Sequence, residues 1–94
     1  MVVEPDVLVG MDVANYLREC GYRVIEGIAA ADVWAVLQGG GRFDVLLSDV
    51  NLAGDVDGFT LATRIRQTYS NVDVILTSGI SGAAKARRAS WRPG

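Results

Sequence analysis

Residues 43–49 read Phe-Asp-Val-Leu-Leu-Ser-Asp, and a polar loop that contains Gly54 and Gly58 follows them. A short apolar run of this kind is typical of a strand that is buried on both faces of a parallel sheet. In open α/β sheets, ligands and chemistry collect at the carboxyl ends of such strands. Asp49 stands at that end, where a carboxylate is costly to bury, so we predict that it belongs to a functional site.

Short apolar strands alternate with helical patterns along the rest of the chain. The other predicted strands are residues 1–3, 22–26 and 72–77, and the more polar run 22–26 is typical of a sheet edge. The predicted helices are residues 7–20, 29–37 and 59–69, with a last short one at 83–89. Four strands interleaved with helices predict a doubly wound α/β fold with a parallel sheet.

Apolar residues at helical spacing predict the inward face of each helix. In the first helix these residues are Val7, Met11, Ala14 and Leu17, with Val13 and Cys20 widening the stripe. In the second they are Ala30, Val33 and Leu37, and in the third Phe59, Ala62, Ile65 and Tyr69. We therefore expect Cys20 to be a small core residue.

The composition predicts one small cytoplasmic domain, residues 1–94, with no effector domain. A net charge of -2 gives no sign of direct nucleic-acid binding, and we read the basic run at 85–88 as a solvated helix face. One cysteine fits a reducing compartment, and no stretch reads as a signal peptide or a membrane span. The absence of histidine excludes Ser-His-Asp and Cys-His catalysis, so any phosphoryl donor must be another molecule.

Three polar groups follow strands that end at the same predicted edge of the sheet. Glu4 and Asp6 follow the first strand, Asp49 the third and Ser78 the fourth. Carboxylate and carbonyl oxygens suit Mg²⁺, and a metal-bound carboxylate can accept a phosphoryl group. An alternative for Glu4 and Asp6 is that they are acids at a helix N-terminus, with Pro5 as an early helical residue.

Several blocks of the sequence resemble receiver domains of the response regulators of bacterial two-component systems. The matching blocks, in the family's order, are residues 2–4, 16–26, 47–52, 57–59 and 74–79. The resemblance implies a flavodoxin-like receiver fold, here with about four strands in the order 2-1-3-4. It also implies signalling by protein contact rather than enzymatic turnover.

The resemblance assigns roles to individual residues. Asp49 is then the phosphoacceptor, receiving a phosphoryl group from a sensor histidine kinase or a phosphotransfer protein, and Ser78 is the switch hydroxyl. The implied Mg²⁺ ligands are Glu4, Asp6, Asp49 and Asn51, the last through its backbone carbonyl. Gly58 would supply a backbone angle that bulkier residues resist.

The sequence also departs from the family pattern. Pro5 stands where the family has a second acid that ligates the metal, so we expect weakened Mg²⁺ binding. The family's fifth strand and helix are absent, as is the lysine that pairs with the phosphoryl group, and Lys85 does not match its position. We expect the fourth strand to have a bare apolar edge and the chain to self-associate through it.

Three functions compete on these observations. Asp49, Ser78 and the pair Asp57-Gly58 favour a phosphoacceptor signalling domain. Pro5 and the missing lysine favour a receiver-like interaction module that works without phosphorylation, or a degenerate receiver. An independent enzyme such as a hydrolase is disfavoured, because the sequence has no histidine and no nucleophile–base pair.

Overall fold

The computed structural model describes residues 1–52 and 54–78. Strands and helices alternate along this part of the chain, as β1 (Val2–Val3), α1 (Val7–Glu19), β2 (Glu26–Gly27), α2 (Ala30–Gln38), β3 (Val45–Asp49), α3 (Gly58–Thr68) and β4 (Asp73–Thr77). The predicted α/β fold is confirmed. The helix predicted at 83–89, with the basic run and Lys85, lies outside the described residues.

The four strands form one parallel sheet in the order β2-β1-β3-β4, which confirms the predicted flavodoxin-like receiver order. Val3 pairs with both Gly27 and Ser48, and Asp49 pairs with Thr77. The strands therefore end at one edge, and the residues after β1, β3 and β4 meet there. Strand β2 is at a sheet edge as predicted, but it is only two residues long and spans Glu26–Gly27 rather than the predicted 22–26.

The core lies mainly between the sheet and helices α2 and α3. Fully buried side chains from both layers meet there, and the largest of them include Val3, Val33, Leu46, Leu61 and Ile65. Ala30, Val33 and Leu37 of α2 are buried as their spacing predicted. Burial of this face holds α2 against the sheet and leaves the carboxyl ends of the strands at the rim.

Helix α1 packs with a face that only partly matches the predicted one. Val7 and Met11 are 56% and 45% exposed, Cys20 is also exposed, and the buried positions are Val9, Gly10 and Ala14. A Cβ at Gly10 would lie 3.4 Å from the Cβ of Glu4, so this small residue brings the helix close to the chain that follows β1. The spacing therefore predicted Ala14 correctly and Val7 and Met11 wrongly, because the small residue Gly10 makes the close contact.

Helix α3 differs from its prediction at one position. Ala62 and Ile65 are buried as expected and Tyr69 packs against the core, but Phe59 is 62% exposed and Leu61 occupies the buried place instead. Since Phe59 is the second residue of the helix, it lies at the open rim of the sheet rather than over it. Among the described residues, no helix has the length and apolar character needed to cross a membrane.

Candidate functional site

Asp49 is the last residue of β3 and is only 4% exposed. Its Oδ1 accepts a hydrogen bond of 2.8 Å from the backbone amide of Asn51, in the tight turn that leaves the strand. The hydroxyl of Ser48 donates to the carbonyl oxygen of Asp49 at 3.0 Å, and the amide of Val50 donates to the carbonyl oxygen of Thr77 at 2.8 Å. The carboxylate and the backbone that carries it are therefore held in a defined orientation.

Glu4 follows β1 and is 2% exposed. Its Oε1 accepts a hydrogen bond of 3.0 Å from the amide of Asp6, while its Oε2 is buried and has no hydrogen-bond partner among the described residues. Burial raises the pKa of Glu4, and the neighbouring carboxyl group of Asp49 raises it further by repulsion and by hydrogen bonding to the protonated form. Glu4 and Asp49 thus form a close pair of carboxyl groups.

Asp6 is used differently from Glu4. It is the N-cap residue of α1, and its Oδ1 accepts hydrogen bonds from the amides of Leu8 and Val9 at 3.1 and 3.2 Å. Of the two interpretations open for Asp6, the structure shows the helix-capping one. Pro5, between the two acids, is exposed.

The predicted set of metal ligands is only partly assembled. In the described ranges, no group of three or more aspartate, glutamate, histidine or cysteine side chains is placed to hold a metal ion. The structure brings Glu4 and Asp49 together, with Asn51 in the turn beside them, and it uses Oδ1 of Asp6 to cap α1.

Gly58 has a role different from the expected one. The left-handed backbone angle in this loop belongs to Gly54, with φ of 92°, and Gly58 is not among the residues with positive φ. Gly58 is instead required by space, since a Cβ there would lie 2.6 Å from the Cα of Val50. The loop therefore needs two glycines for two different reasons.

Ser78 directly follows β4, one residue beyond Thr77, the residue that pairs with Asp49. It is exposed at the same edge of the sheet. Thr77 faces β3, and its hydroxyl donates to the carbonyl oxygen of Ser48 at 3.4 Å. The hydroxyl groups of Thr77 and Ser78 therefore lie at the end of β4, next to the end of β3 in the register of the sheet.

Ser48 was not predicted as part of the site. Its side chain is completely buried, and its only described hydrogen bond is the one to the carbonyl oxygen of Asp49. The signal in the sequence is a polar residue inside an otherwise apolar strand, directly before Asp49. Such a residue is costly to bury unless it has a hydrogen-bond partner.

The donor set fits a hard divalent cation. Two carboxyl groups lie close together, and one of their oxygens, Oε2 of Glu4, is buried without a hydrogen-bond partner from the described residues. A cation between Glu4 and Asp49 would offset their repulsion and satisfy that oxygen. Mg²⁺ prefers oxygen ligands and keeps several waters, so two carboxylates and a backbone carbonyl suffice for it.

A parallel sheet of this order with a buried aspartate at the end of its third strand defines a receiver-type signalling domain. The sequence profile of the response regulator receiver domain matches residues 1–91, and the chain belongs to this family. Domains of the family work in two-component signalling and generally bind Mg²⁺ at the phosphorylation site. The resemblance read from the sequence is thereby confirmed.

Two bacterial relatives support the assignment. The chain is 35% identical over 78 residues to the uncharacterized transcriptional regulatory protein YbdJ of Bacillus subtilis, covering 83% of this chain and 33% of that protein. It is 31% identical over 88 residues to the sensor kinase CckA of Brucella abortus, covering 93% of this chain and 9% of that protein. The chain therefore spans a minor part of the length of both relatives.

Proposed function

We propose that this domain accepts a phosphoryl group on the carboxylate of Asp49 from the phosphohistidine of a sensor histidine kinase or a phosphotransfer protein. The observation that carries the proposal is the position of Asp49, held by the amide of Asn51 at the end of β3 and adjacent to the buried carboxyl of Glu4. Membership of the receiver domain family supports the same reaction.

The reaction needs a donor because the chain contains no histidine. A carboxylate oxygen of Asp49 attacks phosphorus, the P–N bond of the donor breaks, and the imidazole leaves with the electron pair and takes up a proton. The product is an acyl phosphate on Asp49. Such transfers depend on positioning and charge stabilisation more than on covalent help from the protein.

The residues around Asp49 supply positioning. The hydrogen bond from Asn51 orients the carboxylate, and the hydrogen bond from Ser48 fixes the backbone carbonyl behind it. Glu4, Asp49 and the backbone carbonyl of Asn51 would hold Mg²⁺. When bound, Mg²⁺ neutralises negative charge on the phosphoryl oxygens.

Phosphorylation of Asp49 would produce a signal by changing the surface of the domain near Ser78. Ser78 lies at the edge where the phosphoryl group would be attached, and its hydroxyl can donate a hydrogen bond to a phosphoryl oxygen. That bond would make the surface of the phosphorylated domain differ from that of the unphosphorylated one, and a partner that distinguishes the two surfaces reads the signal. We propose that signalling passes through protein contact and that the domain works in the cytoplasm.

The test is intact mass after incubation with acetyl phosphate and Mg²⁺. We expect the parent to gain one phosphoryl group and Asp49→Asn to gain none. Asp55→Asn is the matched control, since it removes a carboxylate from the exposed loop that follows β3, and it should gain the group as the parent does. A folded parent that gains nothing contradicts the proposal.

A second candidate is an interaction module that works without phosphorylation. Pro5 at the position of a metal ligand, and the absence of a three-carboxylate cluster in the described residues, favour it. The mass experiment separates the two, because this candidate expects no phosphoryl gain in a folded chain that still binds its partner.

We also propose that the chain self-associates through β4. In the described part of the chain this strand pairs only with β3, and Ile75 in its centre is 52% exposed. A strand with a free edge and exposed apolar residues favours pairing with another copy.

A further inference from the structure

A cavity of about 200 Å³ lies at the carboxyl ends of β1 and β2, and the first turns of α1 and α2 contribute to its walls. Two of the wall residues are Gly10 and Gly27, which have no side chains to fill the space. Cavities that bury drug-sized ligands measure about 300–1,000 Å³. This cavity is smaller, so its size suits a single side chain or a small organic group.

The polar part of the cavity lining is acidic. It consists of Glu4, Glu26 and Asp32, and no basic residue of the described chain lines the cavity. Hydrogen bonds hold two of these acids in place. Oε2 of Glu26 accepts from the guanidinium of Arg18 at 2.9 Å, and Oδ2 of Asp32 accepts from the amide of Ile28 at 2.8 Å.

Each of the three acids also has one carboxylate oxygen that accepts no hydrogen bond from the described residues. These oxygens are Oε2 of Glu4, Oε1 of Glu26 and Oδ1 of Asp32. The oxygen of Glu4 is buried, so water does not replace its lost hydration. The lining therefore offers several hydrogen-bond acceptors and negative charge to a cationic donor.

The cation that suits this cavity is organic. In the described part of the chain, these acids do not form a group of three that could hold a metal ion. An ammonium or guanidinium group has several N–H donors and can reach carboxylates that are further apart. Val7 and Ile28 form an apolar part of the wall, where they can pack against the methylene groups that carry such a charge.

We propose that this cavity binds the cationic side chain of a lysine or arginine from a partner protein. Val7 and Ile28 are 56% and 50% exposed, and Met11, one turn further along α1 from Val7, is 45% exposed. Apolar residues beside an acidic cavity indicate protein contact, because a partner would cover them while its basic side chain enters the cavity. A small free amine would leave most of this apolar surface in water.

The inference goes beyond the proposed function and does not depend on phosphorylation. Glu4 is shared with the cation site proposed beside Asp49, whereas Glu26 and Asp32 belong only to the cavity. The substitutions that test the inference are therefore made at Glu26 and Asp32, and binding is measured with a chelator present.

The test titrates the chain with lysine whose backbone amine and carboxyl groups are blocked, and follows the NMR shifts of the backbone amides of Gly10 and Gly27. We expect saturable shifts at both glycines. Glu26→Gln and Asp32→Asn should each weaken binding by about threefold or more, the effect of losing one partly exposed ion pair. The matched control is Glu19→Gln, which removes an exposed acid of α1 that does not line the cavity.

Two further probes separate the roles of charge and backbone. Blocked norleucine has the four carbons of the lysine side chain without the charge, and it should bind more weakly than blocked lysine. Binding of blocked lysine should also weaken as the salt concentration rises. Butylammonium has the charge and the carbons without a backbone, and it should bind no better than blocked lysine.

Three results would overturn the inference. They are norleucine binding equal to that of lysine, Glu26→Gln and Asp32→Asn variants that both bind like the parent, and butylammonium binding in a chain that does not bind blocked lysine. The last result would assign the cavity to a free amine. None of them bears on phosphoryl acceptance by Asp49, and a chain that gains no phosphoryl group can still bind blocked lysine.

Discussion

Gly58 packs directly against the backbone of Asp49. Its amide donates to the carbonyl oxygen of Val50 at 2.9 Å, and a Cβ on Gly58 would overlap the carbonyl oxygen of Asp49. Both contacts involve backbone atoms at the end of β3, which cannot move without moving the strand. The first residue of α3 and the functional end of β3 are therefore in contact only because Gly58 has no side chain.

Replacing Gly58 by alanine should disturb both the fold and the site. We expect Gly58→Ala to lower the free energy of unfolding by about 1–3 kcal/mol, the usual cost of overpacking. It should also slow phosphoryl acceptance, because the added methyl group displaces the backbone of Asp49. Urea denaturation and the mass experiment with acetyl phosphate measure the two effects.

The matched control is Gly10→Ala, another buried helical glycine. Its new Cβ would lie 3.4 Å from the Cβ of Glu4, close to an ordinary contact, so the helix gains about 0.5–1 kcal/mol from the better helix former. The two alanine variants should therefore change stability in opposite directions. A Gly58→Ala chain as stable as the parent would contradict the steric role given to this glycine.

The fold was predictable because its signal is carried by large apolar residues and by turns. The apolar run before Asp49, with the glycine-bearing loop after it, identified β3. The strand order was also predicted correctly, although it came from the family resemblance rather than from any pattern of residues.

The contacts of α1 were not predictable in the same way. Ala14 is buried as predicted, but Gly10 carries no hydrophobic signal and is buried too, while Val7 and Met11 carry more signal and are exposed. Which face of a helix packs depends on how closely it approaches the sheet, and tertiary packing overrides the pattern of large residues here.

Part of the candidate site was predictable from residue type and position, and part depends on hydrogen bonds that the sequence does not reveal. Asp49 was recognisable from its position after an apolar strand. The different tasks of Glu4 and Asp6 were not, because both are acids within a few residues of β1 and only their hydrogen-bond partners distinguish them.

The raised pKa of Glu4 predicts a stability that depends on pH in the metal-free protein. The folded state binds this proton more tightly than the unfolded chain, so stability is greatest below the ordinary pKa of glutamate. It then falls as the pH rises through the raised folded-state pKa. Urea denaturation with a chelator present, from about pH 4 upward, should show this decline.

Glu4→Gln isolates the contribution of this carboxyl group. Because the glutamine amide does not titrate, the stability of the variant should fall less than that of the parent as the pH rises. The variant should also be more stable than the parent at neutral pH. Parallel pH profiles for the two proteins would show that burial and Asp49 do not perturb Glu4 as described.

Asp57 should behave in the opposite way. It is the N-cap residue of α3, and its Oδ1 accepts a hydrogen bond of 2.7 Å from the amide of Thr60, which lowers the pKa of this exposed carboxyl. Its contribution is present above the unfolded-state pKa and is lost as the pH falls through the folded-state pKa. Asp57→Ala should therefore lower the melting temperature at neutral pH, with a smaller effect in acid.

Asp57→Asn is the control for the capping hydrogen bond. Asparagine keeps the acceptor and removes the charge, so this variant should remain close to the parent in melting temperature. If Asp57→Ala melts like the parent across the whole pH range, the cap does not stabilise α3.

Self-association through β4 is the remaining prediction. Val45 and Ile75 are 40% and 52% exposed, and the register of β3 and β4 pairs Leu47 with Ile75, so these side chains share one face of the sheet. Two neighbouring strands thus present apolar surface beside an edge that has no second partner in the described residues. We expect the parent to sediment as a dimer or larger species at micromolar concentration.

Ile75→Lys should shift the sedimentation of the chain toward the monomer. The substitution adds a charge to the shared face and removes little buried surface, because the isoleucine is already half exposed. Phe59→Lys is the control, since it alters another exposed apolar residue, on α3 rather than on β4, and should not change the association. A parent chain that sediments as a stable monomer contradicts the prediction, and an equal effect of both variants assigns the association to a surface other than β4.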